Sequence, residues 1–75
     1  MQNKQLTNKL RAYRESRGMK QVELAARAAV PVALLNRTER WHLPVSLPTA
    51  QRLAEALGAE LGDVFPYLAD REIRP

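Results

Sequence analysis

Apolar side chains recur along this chain at the three-to-four-residue spacing of helix faces, with no strand-like alternation. Leu6, Leu10 and Tyr13 make the first such face, with Lys4, Lys9, Arg11 and Glu15 placed off it. Gly18 ends this helix, because glycine tolerates the left-handed conformation that a helix stop requires. Leu24, Ala25 and Ala28 predict a second helix over 21–28, whose alanines let a neighbouring helix approach closely. Pro31 is poor inside a helix but suits its first turn, so it predicts the start of a third helix through Glu39. Val30 before it serves as a hydrophobic plug. Arg40 to Val45 lacks helical periodicity and contains Pro44, which predicts a loop. Ser46 is placed to cap a fourth helix, Pro48 fits its first turn, and Gly58 stops it. Its buried face is Leu53 and Leu57 with Ala50, Ala54 and Ala56. Leu61, Val64, Phe65 and Leu68 predict a last short helix over 61–68, made irregular by Pro66. Residues 69–75 are polar and charged and end in proline, so they predict a flexible tail. The pattern as a whole predicts an all-α fold of five short helices.

Size and composition narrow the function classes. A chain of 75 residues is a single domain. Domains this small remove only ~60% of their unfolded surface from water, leaving one thin core and little room for an enclosed substrate cavity. The absence of cysteine excludes a disulfide framework, a thiolate nucleophile and a cysteine-based zinc site, and fits a reducing cytosol. His42 is the only histidine and has no carboxylate pair nearby, so no metal is expected. No nucleophile–base pair, phosphate-cradling glycine loop or carboxylate dyad stands out, so neither catalysis nor a cofactor is expected. No apolar run approaches the ~20 residues of a membrane span, and the N-terminus shows no signal-peptide core. The expected setting is the cytoplasm, with no membrane partner.

Charge adds direction. The net charge is +4, but residues 1–40 carry nine basic against three acidic groups, whereas residues 41–75 carry three against five. A basic half and a mildly acidic half suit a molecule with one face for a polyanion, or a solvated surface with a modest bias. The two short helices around Ala28-Ala29-Val30 describe a helix-turn-helix over about 21–39. In that motif the second helix lies in the DNA major groove while the first crosses the backbone. Adjacent short helices also occur in any small bundle, so other signals must decide.

Those signals are blocks in order: Leu10-Arg11-Ala12-Tyr13-Arg14-Glu15, then Met19-Lys20-Gln21-Val22-Glu23-Leu24-Ala25, then Thr38-Glu39-Arg40. Leu53-Ala54-Glu55-Ala56-Leu57-Gly58 and Asp63-Val64-Phe65 follow, with spacings that need no insertion or deletion. Over about Leu6 to Phe65 the chain resembles the phage repressor and Cro (Xre-type) helix-turn-helix regulators. The resemblance implies a compact five-helix lambda-repressor-like DNA-binding domain over 1–68, with the helix-turn-helix at helices 2 and 3.

It also implies roles at the matching positions. Gln21 would bond a DNA phosphate and brace the recognition helix, or be simply a polar helix start; Lys20 and Arg40 would also contact the backbone. Arg14 and Glu39 would pair between the first helix and the end of the recognition helix, as a structural rather than a DNA contact. Val32, Ala33, Asn36 and Arg37 would face base edges. Arg37 is the sharpest, since bidentate arginine to guanine is the commonest specific contact. Asn36 would pair with adenine or bond a phosphate, while Val32 and Ala33 would touch thymine methyl groups. In the blander reading Val32-Ala33-Leu34-Leu35 is core or a protein contact; Leu35 matches a buried family position, and Leu34 fits core or partner.

This chain departs from the family pattern in four places. Pro31, Val32 and Ala33 stand where polar residues are favoured, and Trp41 where glycine is common. The loop after Arg40 lacks phosphate-binding lysines, and Thr38 replaces an aliphatic residue, implying a slightly weaker core. Trp41 is expected to pack on the core or an interface, or to lie along DNA.

The implied function is that of a sequence-specific transcriptional regulator on double-stranded DNA, associated with the nucleoid. It would act as a homodimer on an inverted repeat, with Leu61, Phe65, Tyr67 and Leu68 as dimer contacts unless they close the core. The alternative is a protein-interaction module, antitoxin-like, that uses the apolar recognition face for a protein partner.

Overall fold

A computed structural model describes residues 7–68, and within them the chain forms five α-helices and no strand. They are α1 (Leu10–Ser16), α2 (Gln21–Ala28), α3 (Val32–Trp41), α4 (Leu47–Leu57) and α5 (Leu61–Val64), followed by a 3-10 turn over Pro66–Leu68. Leu6 and the expected tail over 69–75 lie outside the described residues.

Local chemistry accounts for most of the boundaries. The Asn8 carboxamide oxygen accepts from the Leu10 N–H at 3.0 Å, satisfying one of the free donors at the start of α1. Gly18 follows α1 at φ +68°. α2 stops at Ala29, a non-glycine residue at φ +59°, with Val30 N–H closing onto the Ala25 carbonyl at 3.0 Å. At α4 the Ser46 hydroxyl accepts from Thr49 N–H at 3.3 Å, and Gly58 terminates the helix at φ +67°.

Two expected boundaries are corrected. Pro31 sits just before α3 rather than in it, and the helix runs past Glu39 through Arg40 to Trp41. Nothing between Glu39 and Trp41 disfavours helix. The first such constraint falls on Leu43, which precedes Pro44, and the stop itself is His42 at φ +52°. The last helix breaks in two at Phe65, because a proline at 66 disfavours helical backbone in the residue before it.

The core gathers Leu10, Leu24, Leu35, Leu53, Leu57, Leu61, Val64, Phe65 and Leu68, with Ala25, Ala28, Ala50 and Ala54 among them. α2 packs most extensively against α4, and both bury alanines, so their backbones come close. The expectation that Leu61, Phe65 and Leu68 form a dimer contact is corrected. All three are buried within one copy and offer almost no surface to a second. Tyr67 keeps partial exposure and packs edge-on against Phe65, centroids 6.2 Å apart. Thr38 is fully buried, and its hydroxyl donates to the Leu34 carbonyl at 2.8 Å, so its polar atom is satisfied inside the core.

Three arginines act as staples. Arg17 Nε donates to the Leu57 carbonyl at 2.7 Å and Arg52 Nε to the Ala28 carbonyl at 3.0 Å, each satisfying the C-terminal end of a helix. Arg14, the third, belongs to the site.

Candidate nucleic-acid interface

α3 divides cleanly into two sides. Leu35, Thr38 and Glu39 are buried, and Leu34 is half-buried against the core. Val32, Ala33, Arg37 and Arg40 are exposed and Asn36 is half-buried, at positions i, i+1, i+4, i+5 and i+8. That spacing makes one stripe along the helix. Val32 is 42% exposed, so it is neither core nor shielded by a neighbour.

A buried ion pair fixes how this stripe is presented. Arg14 donates to Glu39 twice, from Nε to Oε2 at 2.7 Å and from Nη2 to Oε1 at 3.0 Å. Their side chains are only 11% and 2% exposed. Arg14 Nη1 also reaches the Met19 carbonyl at 2.7 Å, tying the loop before α2 into the same cluster. Hydrogen bonding to Glu39 raises the Arg14 guanidinium above its ordinary value, against the opposing pull of burial.

From Glu39 the network continues outward. Gln21 Nε2 donates to Glu39 Oε1 at 3.0 Å, and Gln21 Oε1 accepts from Asn36 Nδ2 at 3.3 Å. Gln21, the first residue of α2, is thus bonded to two residues of α3. Beside it Lys20 is exposed, its backbone N–H taken by the Glu23 carboxylate at 2.8 Å and its side chain free of any carboxylate among the described residues.

The far end of α3 is held by residues that the sequence did not single out. Asn8 is buried; its Nδ2 donates to the Thr38 carbonyl at 3.2 Å and its backbone N–H donates to His42 Nδ1 at 3.1 Å. The only signal was a polar asparagine just ahead of a helix, whose side chain can bond the free N–H groups there. Trp41, expected to pack on the core or an interface or to lie along DNA, does not pack on the core: it is 56% exposed, with the Arg40 guanidinium 5.2 Å from its ring centroid.

The free cations are fewer than the composition suggests. Arg11 pairs with Glu15 at 3.0 Å, and Arg14, Arg17 and Arg52 are committed as described. Lys9, Lys20, Arg27, Arg37 and Arg40 remain without a carboxylate partner among the described residues, and of these Lys20, Arg37 and Arg40 lie on α3 or at the start of α2.

Two short helices joined by a left-handed turn, the second held by a buried ion pair with its outer stripe bare, find their match in one comparison. A family described as a helix-turn-helix domain matches residues 5–65. The chain belongs to this family. No curated protein matches it. Helix-turn-helix domains of this kind are typically DNA-binding and non-enzymatic. Among the described residues no cluster of carboxylates and histidine is arranged to hold a metal, and no helix is long and apolar enough to cross a membrane. In this helix-turn-helix domain α2 is the first helix of the motif, Ala29 and Val30 make its turn, and α3 is the second helix.

Proposed function

We propose that this domain is a sequence-specific transcriptional regulator of the phage repressor and Cro (Xre) type, working on duplex DNA at the nucleoid. The carrying observation is the bare stripe of α3, backed by a buried ion pair that fixes the helix's roll. In this reading α3 enters the major groove, Arg37 reads guanine, Asn36 reads a neighbouring base, and Val32 and Ala33 touch thymine methyl groups. Lys20, Gln21 and Arg40 meet phosphates on either side, helped by the positive end of α2. One helix reads few base pairs, so two copies occupy half-sites ~34–36 Å apart.

Selection from a random duplex pool at moderate salt tests this. The expected result is an enriched inverted repeat with half-sites one helical turn apart. Absence of enrichment, together with retention that does not depend on salt, overturns it.

A second reading is favoured by exposed apolar side chains, Val22 at 60%, Val32 and Trp41. A protein partner, as for an antitoxin, would cover them. That reading expects self-association or binding of a hydrophobic dye by the free domain, with little affinity for duplex DNA. A monomer that binds DNA with a steep salt dependence excludes it.

A further inference from the structure

The bond from Asn36 to Gln21 gives the base-reading stripe a defined polarity, and this inference rests on the DNA-binding reading above. The Glu39 carboxylate, with Arg14 donating to it twice, offers only acceptors. Gln21 must therefore turn its NH2 toward Glu39, which leaves its carbonyl oxygen facing Asn36. Opposite that oxygen Asn36 must in turn place its own NH2, since two carbonyl oxygens facing each other make no bond. Each carboxamide thus takes its orientation from the group behind it, and the first group in the line is an ion pair shielded from solvent.

What remains free on Asn36 follows from counting atoms. One Nδ2 hydrogen is used by Gln21, which leaves Oδ1 and the second hydrogen free, and the two stand side by side when Gln21 takes the hydrogen remote from Oδ1. In the major groove adenine presents a donor at N6 beside an acceptor at N7, which matches that pair. Guanine presents two acceptors, so one of them is set against Oδ1, while thymine's single carbonyl oxygen takes the free hydrogen and leaves Oδ1 without a donor. A free carboxamide evades this conflict by rotating half a turn, because its two ends have nearly the same shape. Here the rotation breaks the bond to Gln21.

We propose that Glu39 and Gln21 are specificity-positioning residues: through Gln21 the buried carboxylate holds the Asn36 carboxamide in the orientation that reads adenine and rejects guanine and thymine. Val32 and Ala33 have no hydrogen-bonding side chain, so on this stripe Asn36 and Arg37 together read adenine and guanine at nearby positions.

Random-pool selection with the full chain and three variants tests the relay. Wild type should prefer adenine at one position of each half-site by about fivefold or more. Asn36→Ala should erase that preference. Gln21→Met, close to glutamine in length but without its donor or acceptor, should flatten the same position while the guanine preference of Arg37 persists. Glu39→Gln should broaden it too, because a neutral carboxamide at 39 lets either end of Gln21 face it while Gln21 stays available to a phosphate. In the free protein, heteronuclear NMR should show the Asn36 side-chain NH2 resonances shifting in Gln21→Met at an essentially unchanged melting temperature. An adenine preference that survives both Gln21→Met and Glu39→Gln, or a different base at that position in wild type, overturns the relay and leaves DNA binding intact. A wild-type pool without any motif overturns both.

Discussion

Removing Glu39 tests how much of the fold hangs on the ion pair behind α3. Glu39→Leu keeps the bulk but deletes the acceptor of three hydrogen bonds, two from Arg14 and one from Gln21. Breaking one side of a buried pair costs about 3–5 kcal/mol, because the other charge stays behind without its partner. The low end applies here. Arg14 keeps the Met19 carbonyl at 2.7 Å and lies 3.9 Å from the Glu15 carboxylate. A domain of this length has about 4–11 kcal/mol in all, so a loss of about 3 kcal/mol lowers the melting temperature by about 12–24 °C. Arg14→Met should behave similarly. In the double variant neither charge remains, and apolar replacements of similar volume fill the site. It should exceed the poorer single variant by about 2 kcal/mol. Thermal and urea unfolding followed by circular dichroism measure all four proteins. A loss below about 1 kcal/mol in Glu39→Leu, the scale of an exposed pair, refutes the argument, as does simple additivity.

The remaining predictions concern the turn, the α1 cap and the DNA face. Ala29 is exposed and sits at φ +59°, so Ala29→Gly should stabilise the domain by about 0.5–1 kcal/mol, read as a higher melting temperature. Asn8→Ala removes the acceptor of the Leu10 N–H at the start of α1 and a bond to the end of α3, and should cost about 1–3 kcal/mol in urea unfolding. Arg37→Ala should weaken binding to the selected operator by about 1–3 kcal/mol and relax one base position. Arg40→Ala should weaken all duplexes alike and shallow the salt slope by about one unit per copy, measured by anisotropy titrations at several salt concentrations.

The helices whose ends carry their own stop residues were legible in the chain. Ser46, Pro48 and Gly58 punctuate α4, and its observed bounds follow them. The end of α3 was not legible, because its terminator is His42, a residue with no helix-stopping habit, held by a backbone N–H more than thirty positions earlier. Pro66 predicts only an irregular helix over 61–68, but by disfavouring helical backbone at Phe65 it separates α5 from the 3-10 turn. Leu61, Phe65 and Leu68 show why apolar spacing alone cannot tell a core from an interface. The pattern is identical, and only the packing of α5 beneath the other helices decides it. At the site, the resemblance to the family implied Val32, Ala33, Asn36 and Arg37 as the outward-facing set. It held no sign that Gln21 bonds Asn36, a contact between two helices with a turn between them.

The way the arginines are distributed bears on how such a domain gains affinity. Binding to a polyanion draws on cations left free to displace counterions. Of the basic residues described, Arg14, Arg17 and Arg52 are engaged inside the molecule, closing a buried pair and two helix ends. In the proposed reading Lys20 and Arg40 meet phosphates beside the recognition stripe and Arg37 meets the bases, while Lys9 and Arg27, also exposed and unpaired among the described residues, lie off α3. Two phosphate cations per copy give a slope of about −2 in log affinity against log salt for one copy, and about −4 for two. In the proposed reading so few phosphate contacts favour a second copy on the operator, and the former dimer candidates Leu61, Phe65 and Leu68 are sealed in the core. Besides Val32 on the stripe itself, the exposed large apolar groups among the described residues are Val22, Trp41 and Leu43, the last two just past Arg40 in the chain. A slope much steeper than −4 would mean that cations beyond Lys20 and Arg40 reach the duplex, and this division of labour among the arginines would fail.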